Sequence, residues 1–205
     1  MNVNVQAALK ALNRHGFSAQ YCADATTAKK LILGVIPAAA KVGIPGSKTI
    51  RQLGLDSALR ERGQITFDHW LKGMTDEQIL EARRAQLTCD VLLTSSNAVT
   101  EQGEVYNMDG MGNRVAPMIW GPPLVIIAVG INKLVPDLEA ARERLRKIAA
   151  PRRARELNLA VPCTKMGECG ECNARERICR AELILHRAPF MTDYKIYIIG
   201  EELGN

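Results

Sequence analysis

Apolar positions in this chain change their period several times, and each change predicts an element. From Val3 to Arg14 they recur at Val5, Ala8, Leu9 and Leu12, the spacing of one helix face, with Gly16 placed to stop the helix. FSAQYC then reads as a short strand, and Asp24 stands where an N-cap belongs for a helix over ATTAKKLILGVI that Pro37 ends. The run AAAKVGI reads as a buried strand that breaks at Pro45 and Gly46 and turns into a helix. A helix around Ser57 to Glu61, a strand at Gln64 to Phe67 and a helix from Thr75 to Ala85 repeat the alternation, and Thr75 with Gln78 has the spacing of a capping box. Two apolar runs, Val91 to Leu93 and Leu124 to Val129, bracket a long stretch rich in glycine, asparagine and acids. Asp137 can cap LEAARERLRKIAA, which is apolar at Leu138, Ala141, Leu145 and Ile148, and Pro151 is expected to end that helix.

Strands and helices alternating from residue 16 to residue 150 predict an α/β fold, a mostly parallel sheet with helices on both faces. From Pro151 the character changes to a cysteine-rich loop followed by two short strands, LILHRAP and KIYIIG, which can pair as a hairpin or extend a sheet edge. The expected organisation is an α/β core over residues 1–150 with a Cys-rich extension over 151–205 packed on it as one structural domain.

Composition narrows the class. Among 205 residues, 47% are hydrophobic and only 4% aromatic, so the core must be aliphatic. The net charge of +5 favours acidic partners in general, yet with so few rings to stack bases and no long basic run the pattern argues against nucleic acid. The start MNVNVQAALKALNRHG lacks signal-peptide features, and Leu124 to Ile131 is far too short for a membrane span. A cytoplasmic location is expected, where thiols stay reduced, so the six cysteines read as ligands, reactive groups or core residues.

Four of them, Cys163, Cys169, Cys172 and Cys179, fall within seventeen residues as C-x5-C-x2-C-x6-C. Four thiolates repel one another unless a cation joins them, and C-x-x-C is a short spacing that lets two sulfurs reach one metal. An iron–sulfur cluster, with four irons favoured, or zinc as the alternative, is the expected cofactor. Lys165, Arg175, Arg177 and Arg180 can offset its charge. Cys22 and Cys89 stand alone in apolar surroundings and read as core.

Two loops are candidate ligand sites. Gly43, Gly46, Ser47, Lys48 and Thr49 form a glycine turn entering a helix, which can hold a phosphate or carboxylate, although the spacing is not that of a Walker loop. In the central stretch Asn97, Asn107, Asp109 and Asn113 are interleaved with Gly110 and Gly112, alongside an acid at Glu101, and a helix beginning near Asn113 tolerates Pro117 in its first turn. The missing third glycine argues against a dinucleotide fingerprint. The histidines, each isolated, point to nothing.

The segments SSNAVTEQGEVYNMDGMGNRVA, VIIAVGINKLV, IAAPRRARELNL and IGEELG resemble the LUD domain of lactate-utilisation proteins, in a stand-alone branch with a C-terminal cysteine motif. The resemblance implies a Rossmann-like sheet similar to the ribose-phosphate isomerase and CoA-transferase superfamily. It implies that TEQG places Glu101 where some members have a catalytic glutamate. It also implies an accessory or electron-transfer role, linked to an iron–sulfur centre, in oxidising a lactate-type organic acid. The partners expected are a small anion (organic acid, phosphate ester or CoA ester), a redox protein and a second copy of the chain in a homo-oligomer. Departures are the absence of a double-cluster ferredoxin motif and of a flavin signature. The competing readings are an enzyme on a phosphorylated or CoA-linked substrate with a structural metal, and a non-catalytic ligand-binding regulatory subunit.

Overall fold

The computed structural model describes residues 3–205. The alternation read from the sequence forms a six-stranded sheet, parallel throughout, from β1 (Ser18–Cys22), β2 (Val42–Ile44), β3 (Thr66–Asp68), β4 (Val91–Thr94), β7 (Leu124–Gly130) and β10 (Asp193–Ile199), in the order β1-β10-β7-β4-β2-β3. A second sheet has the order β8-β5-β6-β9, with β5 (Ala98–Thr100), β6 (Val105–Asp109), β8 (Leu134–Val135) and β9 (Ala181–Leu185). The predicted caps are present. Asp24 Oδ1 accepts from Thr27 N–H, Asp137 Oδ1 from Ala140 N–H, and Thr75 and Gln78 form a reciprocal capping box.

The four inner strands of the main sheet, β2, β4, β7 and β10, are buried on both faces, the usual state of a parallel sheet, while β1 and β3 at its edges are partly exposed. Val91, Leu93, Ile126, Ala128, Tyr197 and Ile199 face one layer, which is closed by α2 (Ala25–Val35), α3 (Lys48–Gln52) and α4 (Leu55–Glu61). Leu92, Val125, Ile127, Ile196 and Ile198 face the other, which is closed by α1 (Val5–Arg14) and one side of the second sheet through Val99, Val105 and Leu185. The opposite side of that sheet, with Ala98 and Tyr106, packs on the helix that starts at Leu138. α5 (Asp76–Ala85) has no fully buried residue, and α6 (Ala116–Ile119) is a single turn with Pro117 inside it.

Three expectations need correction. LILHRAP and KIYIIG neither pair with each other nor both lie at an edge. β9 is an edge strand of the second sheet, antiparallel to β6, and β10 lies between β1 and β7 in the main sheet. The segment after residue 150 therefore supplies an interior strand of the core. The polar central stretch is not all loop, since β5 and β6 form an antiparallel pair within it.

The third correction is at Pro151, which does not end the helix. α7 (Leu138–Arg144) runs through a π-helical turn at Leu145–Ala149 into α8 (Ala150–Glu156). In that turn Ala150 N–H reaches Leu145 O, one residue further back than in an α-helix, and Pro151 has no N–H to offer. The Arg146 carbonyl is thus left without a helical partner, and it accepts from Cys169 N–H at 2.9 Å. The proline and the widened turn together make a docking point for the cysteine segment, whose first thiol, Cys163, is in α9 (Pro162–Met166) and whose other three follow it.

Near the end of β3, Arg51 donates to both Asp56 and Asp68, with 2.6 Å from Nη2 to each Asp68 oxygen. Arg60 lies 3.0 Å from Asp56 and 3.4 Å from Asp68. Asp68 is fully buried and its Oδ1 also accepts from Trp70 N–H, so this network fixes the turn that carries His69 and Trp70. Arg51→Ala leaves the Asp68 carboxylate with a single, longer ion pair. It is expected to cost about 3 kcal/mol of stability at neutral pH, measured by urea unfolding.

Candidate functional site

Strands whose two faces are buried can present polar chemistry only at their ends, and in a parallel sheet the loops at the carboxyl ends are where ligands sit. There the described residues enclose a cavity of about 360 Å³. Its wall draws on the turn after β2 (Pro45 to Thr49), the turn after β3 (His69, Trp70), the loop after β4 (Ser95 to Asn97), the segment from Met108 to Arg114, Lys133 beyond β7, and Ile178 with Cys179 from the cysteine loop.

In that wall is a residue that the sequence reading passed over. Lys133 closes the 3₁₀ turn Ile131–Lys133 after β7, is only 4% exposed, and donates from Nζ to Thr49 Oγ1 at 2.9 Å and to Ser95 Oγ at 3.1 Å. Burial, reinforced by the positive charges of Arg144, Arg114 and Lys48, pulls its amine down to about 7. Its neighbour Asn132 holds the turn from two sides, accepting Arg144 Nε on its backbone oxygen and Leu203 N–H on its side chain.

Arg114 is the second hidden group. Its guanidinium is half-buried and donates to Asn107 Oδ1, to Asn97 Oδ1 at 3.2 Å and to Met108 O at 2.7 Å. Asp109 accepts backbone N–H groups from Gly110, Arg114 and Val115, which fixes the loop that brings Arg114 in. The polar density of the central stretch is therefore largely a cradle for one arginine.

His69 is the third. It is buried in the cavity wall, with Nδ1 3.1 Å from Gln86 Nε2. That amide nitrogen also donates to the Ile44 and Phe67 carbonyls, which holds the Gln86 side chain in place beside the ring. Burial, with help from Arg83, pulls the imidazole down to about 4, so at neutral pH it is uncharged. A faint signal for these groups existed in the sequence, a lysine shortly after a buried run and an arginine inside a polar glycine loop, but charge patterning alone assigns both to solvent.

The predicted site residues divide. Gly46, Ser47, Lys48, Thr49, Asn97, Asp109, Gly110 and Asn113 line the cavity. Gly46, at φ +79°, lies against the Trp70 ring, where a Cβ would come within 2.7 Å, so this position needs glycine. Ser47 caps α3 by accepting from Ile50 N–H at 3.3 Å, while Lys48 is engaged by Glu156 at 2.7 Å. Gly43 is inside β2, with Cys89 Sγ 2.7 Å from where its Cβ would be, and serves packing. Asn107 is under Arg114, and Gly112 is away from the cavity wall with open space around it. Glu101 is also outside the wall. Its Oε1 accepts from Asn4 N–H at 2.8 Å at the start of α1, so the glutamate and the cavity are separate in this structure.

Cys163, Cys169, Cys172 and Cys179 are free thiols. Burial raises the Cys163 thiol and pushes Cys179 up to about 11, and in both the neighbouring cysteines add to the effect, so the four are electrostatic neighbours. Arg177 gathers the loop by donating to the Cys172 and Cys179 carbonyls at 2.8 and 2.6 Å. A second cavity of about 430 Å³ opens between Cys169, Cys179, Arg146 and Arg177. The soft donor set, the room and the nearby cations fit a thiolate-held metal by chemistry. Among the described residues, however, no three His, Cys, Asp or Glu side chains converge as a closed metal-holding group. The loop is anchored to the first cavity through Arg180 N–H to Asp109 O at 3.0 Å and through Ile178 against Gly110.

Sheet and cavity define an α/β protein of Rossmann-like architecture with a ligand cavity at the carboxyl ends of its parallel strands. The family model of the LUD domain matches residues 5–199, and the chain belongs to that family. A crystal structure of a DUF162 family protein from Deinococcus radiodurans is similar in fold, with a TM-score of 0.56 at 13% identity over 96% of each chain. No curated protein matches the sequence. No helix among the described residues is long and apolar enough to cross a membrane.

The low proton affinity of Lys133 has a thermodynamic signature. Between about 7 and its ordinary 10.5, the unfolded chain holds a proton that the folded chain has released. The contribution of this residue to stability therefore rises with pH across that window and is lost as pH falls back through 7. The stability of wild type minus that of Lys133→Met is expected to grow as pH is raised from about 7 to about 10, followed by urea unfolding at each pH. A difference that stays flat would mean that the amine titrates as an ordinary lysine.

Proposed function

We propose that this LUD-domain protein serves cytoplasmic lactate utilisation, binding a small organic acid in the strand-end cavity and carrying an iron–sulfur cluster on Cys163, Cys169, Cys172 and Cys179. It would act as an accessory or electron-transfer component beside a redox partner. Family membership supports the connection with lactate utilisation. The observation that carries the combination is that Cys179 belongs to the walls of both cavities, so the thiol loop and the Lys133–Arg114 region share a boundary.

The residues divide the work. Lys133, with Thr49 and Ser95, offers an amine that exchanges a proton near neutrality, and His69 offers an uncharged imidazole. Arg177 and Arg146 stand beside the thiols as counter-charge. A four-iron cluster supplies single-electron chemistry when bound. A zinc ion in the same place would make the loop a structural clasp and favour the reading as an enzyme on a phosphorylated or CoA-linked substrate.

Protein purified without oxygen is expected to be brown, to bleach on reduction with dithionite, and to contain iron and acid-labile sulfide. Cys172→Ser is expected to lower both. Colourless protein with stoichiometric zinc would remove the electron-transfer role, and absence of iron, sulfide and zinc would remove the metal.

A further inference from the structure

Lys133 is unusual in what does not surround it. A buried ammonium is normally paired with a carboxylate, because an unpaired charge in the interior is expensive. Here Nζ contacts two hydroxyls, Thr49 Oγ1 and Ser95 Oγ, and the charged groups that act on it are all cations. The tail packs tightly over the same place, since a Cβ on Gly204 would come within 2.7 Å of Nζ and 2.5 Å of Thr49 Oγ1. The amine is thus fixed in position, on the cavity wall, with its charge disfavoured. A site meant only to grip an anion would gain by keeping the ammonium charged. This arrangement favours the free base, the form that attacks carbonyl carbon.

Two further donors in the same cavity suit the remainder of such a ligand. Arg83 Nε is buried without a hydrogen-bond partner among the described residues, and His69, engaged at Nδ1 by Gln86, adds an uncharged imidazole. Both are wall residues, and both can donate to a carboxylate.

We propose that the cavity binds a 2-oxo acid and that Lys133 forms an imine with its carbonyl carbon. The lone pair of the neutral Nζ makes the C–N bond while the carbonyl oxygen takes up a proton, giving a carbinolamine. Nitrogen then loses one hydrogen as a proton, the C–O bond breaks, and the oxygen leaves as water, giving a protonated imine with no net oxidation or reduction. The Thr49 and Ser95 hydroxyls, within hydrogen-bond reach of Nζ, pass the proton between nitrogen and the departing oxygen. The positive iminium takes the place of the ammonium and pairs with the substrate carboxylate, so the buried charge is compensated only when the oxo acid is bound. The product of oxidising a 2-hydroxy acid is a 2-oxo acid, and in that respect the inference rests on the organic-acid reading above.

The test is trapping with sodium cyanoborohydride, which reduces imines in preference to ketones, on the full chain with pyruvate or glyoxylate. L-lactate, which lacks the carbonyl, serves as control, and pyruvate binding is followed in parallel by thermal shift. The expected result is a single saturable adduct per chain, with the mass of the oxo acid less water plus two hydrogens, mapped by peptide mass spectrometry to Lys133. It is expected to be absent with L-lactate and lost in Lys133→Arg. Because the adduct is mapped on wild-type protein, a variant that folds poorly does not decide the outcome. Stabilisation by pyruvate without an adduct on Lys133, or adducts spread over surface lysines, would overturn the imine and leave the organic-acid site standing. Neither stabilisation nor adduct with any of the three acids would overturn both.

Discussion

One buried amine joins the carboxyl ends of three neighbouring strands. Lys133 follows β7, Ser95 follows β4 and Thr49 is in the helix after β2, and these strands are adjacent in the sheet. The two hydrogen bonds at Nζ therefore tie the floor of the cavity across these three strands. Arg144 Nε and Nη1 reinforce the tie by donating to the Asn132 and Asn97 carbonyls, at the ends of β7 and β4. Burying two cations, Lys133 and Arg144, with the half-buried Arg114 beside them is costly. The structure offsets that cost with carbonyls, amides and hydroxyls, and Asp109 is the carboxylate that acts on Arg114. The surplus positive potential is a property of the folded scaffold and is present before any ligand arrives.

The cysteine loop is held to this scaffold by a second constraint, which also begins in backbone chemistry. A proline inside a helix removes a donor, and the cost is usually a kink. In this chain the π-turn at Leu145–Ala149 concentrates the defect on one carbonyl, that of Arg146, and the Cys169 N–H satisfies it. With Arg180 bonded to Asp109 at the other end, the loop spans from the long helix to the edge of the cavity. Its position is thus set by main-chain hydrogen bonds that do not involve sulfur, and the thiols are brought together as neighbours by the fold itself.

How much of this was legible depends on whether the information was local. Caps at Asp24, Thr75 and Asp137 are local, and each forms as its spacing implied. The apolar runs of β4 and β7 mark a two-sided buried sheet without any knowledge of its neighbours. Strand order is not local. Nothing in KIYIIG distinguishes an edge strand from one placed between β1 and β7, because parallel pairing joins segments far apart in the chain. Pro151 misled because the deviation that accommodates it is in the preceding turn and leaves no mark in the residue pattern. Within the site, the glycine turn and the central loop were found from their turn chemistry, whereas Lys133, Arg114 and His69 were not. Charged and titratable residues read as surface by default, and their burial is decided by partners up to 84 positions away in sequence, as with Lys133 and Thr49.

The same dependence on burial decides what the glycine turn after β2 can do. At Gly46 the backbone must pass close to Trp70, and the residues that follow face the cavity. Lys48, the side chain that most resembled a phosphate ligand, is instead drawn to Glu156 and Asn205 at the rim. The binding potential of this turn therefore lies in Thr49, one residue further on, through its contact with Lys133. A helix start rich in glycine and hydroxyls can hold an anion with its own backbone, or it can position a hydroxyl against a buried base. The choice is made by the depth of the residue that follows the lysine, and here Thr49 is 1% exposed while Lys48 is at the surface.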